Sequence, residues 1–98
     1  MMSFGHSKSF TKSNIKDVPD NKAVVYKIKN DSGKNLYTGI AGRGRIQERL
    51  LEHKELKREF IPGAKKFQIT QVQNKDRARA LEKQIIRKEQ PEFNEQNK

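Results

Sequence analysis

The sequence has no cysteine, which removes disulfides, thiolate chemistry and cysteine-ligated zinc at once. Its two histidines, His6 and His53, stand too far apart in sequence to make a metal site between them. No apolar run is long enough for a membrane span or a signal-peptide core, so an intracellular address is the expectation. Hydrophobic residues fill only 32% of the 98 positions, room for one domain with a small core. Acidic residues are scarce as well: 12 Asp and Glu against 22 Lys and Arg leave a net charge of +10. So large an excess on so short a chain favours a polyanionic partner, nucleic acid before an anionic membrane surface.

What is present falls into a simple order, without internal repeats. Residues 1–21 are rich in Ser, Lys and Asn with scattered apolar residues, and read as a flexible basic arm. Ala23 to Lys29 alternates as a strand, with Val24, Tyr26 and Ile28 on one face and Val25, Lys27 and Lys29 on the other. Asn30-Asp31-Ser32-Gly33 is turn chemistry, and Asn35 to Ile40 alternates again, so the two segments read as a β-hairpin. Ala41-Gly42-Arg43-Gly44 breaks the strand, and Ile46, Leu50 and Leu51 mark a helix reaching to about Lys57. Lys66 to Gln73 reads as a third strand. A second helix follows, capped by Asn74 or Asp76, carrying Ala78, Leu81 and Ile85 inward and stopping at Gln90-Pro91. The order β-β-α-β-α predicts an α+β fold, a small three-stranded antiparallel sheet flanked by helices. The domain is expected over residues 22–95, with 96–98 as a tail.

Three groups of residues carry candidate chemistry. Arg45, Arg49 and His53 recur every four positions and share one helical stripe. A guanidinium on a rigid helix suits a phosphate; the plainer alternative is a solvated face paired to Glu48, Glu52 and Glu55. Glu82 borders the apolar stripe of the second helix, where a carboxylate is costly unless a cation meets it. A divalent metal would serve, and so would a salt bridge to Arg79 or Lys83. Tyr26 and Tyr37 are ordinary strand residues on their own. Lys27, Arg43 and Arg45 are candidates for nucleic-acid contact, with the glycines around Arg43 allowing close backbone approach.

Taken together, Val24-Val25-Tyr26, Tyr37-Thr38-Gly39, the Arg-x-x-x-His step of Arg49 and His53, Glu82 and Pro91-x-x-Asn94 resemble the GIY-YIG nuclease superfamily. The resemblance covers residues 23–94. Val24 stands where the first motif has glycine, and Thr38 where the second has isoleucine. It implies a divalent-metal-dependent endonuclease acting on nucleic acid, DNA before RNA, with low intrinsic sequence specificity and no small-molecule cofactor. Glu82 would hold a single Mg²⁺ or Mn²⁺ ion. Arg49, preferred to Arg45 because it stands one turn before His53, would neutralise the phosphate. Tyr26 would position the attacking water and act as its base, with His53 as the alternative base and Tyr37 in the surrounding network. Gly39 and Asn94 would brace the site. The competing expectation is a nonenzymatic nucleic-acid-binding module on the same fold.

Overall fold

The computed structural model describes residues 4–55 and 60–94. Its centre is the expected hairpin. Strand β2 (Ala23–Lys29) and strand β3 (Asn35–Ala41) pair antiparallel, with Val24 opposite Ala41, Tyr26 opposite Gly39 and Ile28 opposite Tyr37. The turn closes because Asn30 Oδ1 accepts from Ser32 N, Ser32 Oγ and Lys34 N, while Gly33 takes the left-handed φ of +89°. The register then slips once, so Lys29 pairs with Asn35 and Leu36 is the extra residue of a β-bulge. Simple alternation would set Leu36 opposite Tyr37; the bulge sends both to the same core cluster.

A third long strand, β4 (Lys66–Val72), pairs antiparallel with the other edge of β2, from Ala23 opposite Val72 to Lys29 opposite Lys66. β2 is thus central, which is why five of its seven residues are buried. The expected three strands become four. A two-residue strand, β1 (Lys8–Ser9), pairs with Phe67 and Lys66 on β4, giving the order β1-β4-β2-β3. Two residues are too short to show alternation, so this strand leaves no trace in the sequence pattern.

The segment expected to be a flexible arm is packed over its described part, residues 4–21. After β1 comes helix α1 (Lys12–Lys16), capped by Thr11, whose hydroxyl accepts from Asn14 N. Phe10, Ile15 and Val18 are buried, and the Phe10 ring meets Phe67 edge-on with centroids 6.0 Å apart. Their five- and three-residue spacing forms no helical or strand period, which is why they read as scattered. Burying each contributes about 1.5–3 kcal/mol.

Helix α2 (Ile46–Glu55) packs Ile46, Leu50 and His53 on the sheet face that carries Val24, Tyr26 and Ile28. The expected continuation of that helix to Lys57 lies outside the described residues. Helix α3 (Lys75–Glu89) is capped by Asn74, whose side chain accepts from Arg77 N at 2.9 Å, and packs Ala78 and Ile85 with Val25 on the opposite face. It ends at Gln90 in the left-handed region, φ +48°, just before buried Pro91. No helix among the described residues is long and apolar enough to cross a membrane.

Candidate active site

Alternation on β2 and β3 brings the two tyrosines to the α2 face, diagonal to each other with ring centroids 6.2 Å apart. Tyr26 is fully buried, and its hydroxyl is hydrogen-bonded with His53 Nε2 at 2.7 Å. Tyr37 is half-buried and lays its ring against His53 with centroids 4.7 Å apart. Gly39 is what lets Tyr26 lie there. A Cβ at that position would stand 2.5 Å from the Tyr26 hydroxyl oxygen and 2.9 Å from the Tyr37 ring. No side chain larger than hydrogen fits between the two phenols.

Arg49, one turn before His53 on α2, reaches the same cluster. Its guanidinium is within hydrogen-bonding reach of the Tyr26 hydroxyl and ion-paired with Glu52 at 2.7 Å. Desolvation works against the cation, but Tyr26, Glu52 and Tyr37 around it outweigh that and hold it more firmly protonated. Arg45 points elsewhere: it is mostly exposed and paired with Glu48. Arg43 is exposed in the loop before α2. Neither is gathered with the tyrosines.

Glu82 stands on α3, the helix on the other face of the sheet. It is half-buried. Loss of solvent pushes its carboxyl pKa up, with Arg79 offsetting part of the shift. Its charge also reaches Tyr26. Burial pushes the Tyr26 hydroxyl far upward, with Tyr37 and Glu82 adding to the shift and Arg49 opposing it. Tyr26 thus has Tyr37, Arg49 and Glu82 within electrostatic reach and His53 at hydrogen-bond distance. Among the described residues no three His, Cys, Asp or Glu side chains cluster as a metal cage.

Asn94 ties the chain's end to the β3 edge of the sheet. Thr38 N donates to Asn94 Oδ1 at 2.8 Å, Asn94 Nδ2 donates to the Thr38 carbonyl at 2.9 Å, and Phe93 N donates to the Leu36 carbonyl at 2.9 Å. The tail thus supplies the hydrogen bonds that a further strand would, and fixes β3 between its two motif residues Tyr37 and Gly39.

Lys27 too lies apart from the tyrosines. It alternates with Tyr26, so it lies on the α3 face, with a side chain only 14% exposed. Its Nζ donates to Glu89 Oε2 at 2.9 Å, and Asn35 Nδ2 donates to Glu89 Oε1 at 3.1 Å. A lysine so placed needs a carboxylate, and Glu89 supplies it. The sequence reading does not single out Asn35 or Glu89. The usable signal is the seven-residue step from Glu82, two helical turns, opposite an inward lysine on the central strand.

Two phenols, with an arginine and a half-buried carboxylate within electrostatic reach, are the equipment of a nuclease-type catalytic fold. Residues 22–97 match the GIY-YIG catalytic domain, and the chain belongs to that family. The structure is similar to the crystal structure of the GIY-YIG N-terminal endonuclease domain of UvrC from Thermotoga maritima, a point mutant bound to its catalytic divalent cation. The TM-score is 0.67 at 26% identity, over 85% of this chain and 97% of that one. No curated protein matches the chain.

Proposed function

We propose that this chain is a divalent-metal-dependent endonuclease that hydrolyses phosphodiester bonds in nucleic acid, DNA before RNA. The observation that carries the reading is the gathering of Tyr26, Tyr37, Arg49 and His53 on the α2 face, with the half-buried Glu82 of α3 within electrostatic reach of Tyr26. The related UvrC domain, with its catalytic divalent cation, supports the metal requirement.

Glu82 fits such an ion. It is a hard oxygen donor, partly stripped of water, and one carboxylate suffices when substrate oxygens and water complete the shell. The ion would supply Lewis-acid polarisation of the phosphate and stabilise the leaving oxygen. The rest is the chain's own work. Arg49 places a fixed positive charge against the phosphate oxygens, where charge grows in the transition state. Tyr26 and Glu52 hold that guanidinium in place.

The base is better assigned to Tyr37 than to Tyr26. A free tyrosine is only about 0.1% phenolate at neutral pH, and the burial of Tyr26 lowers that fraction further. Tyr37 is the more open phenol and lies within electrostatic reach of Arg49. In its deprotonated form, its phenolate oxygen takes the proton of the attacking water and becomes the neutral hydroxyl. Tyr26 then serves through His53 and Arg49, as the buried post on which both lean.

Incubation with duplex, single-stranded and structured DNA and with RNA, each with Mg²⁺, Mn²⁺ or EDTA, tests the reading beside Glu82→Ala. Metal-dependent cleavage that the substitution abolishes supports it; cleavage that survives EDTA or Glu82→Ala overturns it, as does binding with no cleavage. Comparing Tyr37→Phe with Tyr26→Phe tests the base. The first should lower kcat by about 10²–10⁴, and full kcat in that variant removes Tyr37 from proton transfer.

A further inference from the structure

We propose that the exposed shoulder of α3 formed by Arg79, Lys83 and Arg87 is the track that carries the nucleic-acid backbone into the site at Glu82. The proposal rests on the nuclease reading and adds to it a binding surface on one side of the scissile phosphate.

The first support is where the charge lies. Helix α3 carries six exposed cations, Lys75, Arg77, Arg79, Lys83, Arg87 and Lys88, while Glu82 and Glu89 turn toward the sheet. Of these, Arg79, Lys83 and Arg87 fall on one side of the helix, with the exposed Asp76 beside Arg79.

The second is that these cations are little engaged, in contrast to four that carboxylates hold. Lys12 is paired with Glu55, Lys27 with Glu89, Arg45 with Glu48 and Arg49 with Glu52. On the outward face of α3, Arg79 meets Asp76 at 3.6 Å and largely in solvent. Such a pair contributes little and yields readily to phosphate. No carboxylate among the described residues pairs with Lys83 or Arg87.

The third is direction. Arg79, Lys83 and Arg87 follow at four-residue steps, about 6 Å of helix rise each. They flank the side of α3 that holds Glu82 and Ile86, whereas Leu81, Ile85 and Lys88 line the groove shared with Phe4 and Lys27 on the other side. Arg79 stands three residues, about one helical turn, before Glu82, so the stripe begins beside the site and leads away from it.

The test compares two triple variants that remove equal charge. One is Arg79→Gln with Lys83→Gln and Arg87→Gln. The other is Lys8→Gln with Lys16→Gln and Lys65→Gln, exposed lysines of or beside the segment at the opposite, β1 edge of the sheet. Binding to a short DNA duplex is measured in EDTA across a salt series. Removing a cation that neutralises one phosphate should flatten the log–log salt slope by about 0.9. The α3 variant should therefore lose roughly 2–3 units of slope and at least about tenfold in affinity at low salt, and the β1-edge variant less than about one unit. With Mg²⁺ restored, KM of the α3 variant should rise far more than kcat falls. Equal effects of the two variants, or a native slope in the α3 variant, overturn the track. No cleavage by the native protein with Mg²⁺ or Mn²⁺ would instead sink the nuclease reading and leave the slope comparison standing.

Discussion

Glu82 and Glu89 lie two turns apart on the inner side of α3, and their surroundings push them in opposite directions. Partial burial works to raise the pKa of both. At Glu89, hydrogen bonds from Lys27 and Asn35 outweigh it and hold the carboxyl below its ordinary value. At Glu82 burial prevails, with only Arg79 against it. Glu89 is completed by the protein and joins helix to sheet. Glu82 is left incomplete, and that incompleteness is what a metal ion would resolve. Under the function proposed above, the same residue type on the same helix is a structural bond in one place and a metal ligand in the other.

The largest effect that sharpens this contrast is Glu82→Gln. Activity should fall by about 10³ or more, since the ligand for the Lewis acid is gone. The metal-free variant should melt no lower than the native protein, because a desolvated charge has been removed. Steady-state cleavage and calorimetry without metal read the two halves. A clear loss of stability would mean that Glu82 is structurally bound as Glu89 is.

Asn94→Ala comes next and belongs on the structural side. It leaves both backbone groups of Thr38 without their partner, at about 1–3 kcal/mol for each buried group. Urea unfolding should show the loss, and kcat should fall as well because β3 carries Tyr37. Glu89→Gln is milder. The pair with Lys27 is one-third exposed at the carboxylate, so its loss should cost about 1 kcal/mol and leave kcat within a few-fold. An activity loss rivalling that of Glu82→Gln would break the contrast.

The smallest effect is in pH. A depressed carboxyl pKa gives stability that is complete above the unfolded value and is lost as pH falls through the native one. The melting difference between native protein and Glu89→Gln should therefore be constant near neutrality and shrink below the ordinary glutamate value of 4.5. For Glu82 the sign reverses, since its raised native pKa makes protonation relieve the folded state. The difference between native protein and Glu82→Gln should close as the medium is acidified.

Much of this is legible in the residues alone. The β2–β3 hairpin is written in alternation and in the Asn30–Gly33 turn, and the placing of Arg49 with His53 follows from helical spacing. The fold expected from the resemblance is the fold observed. What escapes such reading are features set by partners distant in sequence. The bulge at Leu36 depends on how β3 docks, and the role of Glu89 on a lysine 62 residues earlier. Lys27 is the opposite case. Alternation alone already puts it on the far side of the sheet from Tyr26.

The GIY-YIG match begins at residue 22, yet β1 and α1 lie before it. A protein trimmed to the matched span would uncover the lower half of β4. Phe67 would lose the ring of Phe10, and the backbone groups that now bond to Lys8–Ser9 would face outward as an unpaired strand edge. Such an edge recruits other chains. The boundary for expressing a well-behaved, monodisperse domain therefore lies upstream of β1, among residues that carry none of the catalytic motifs.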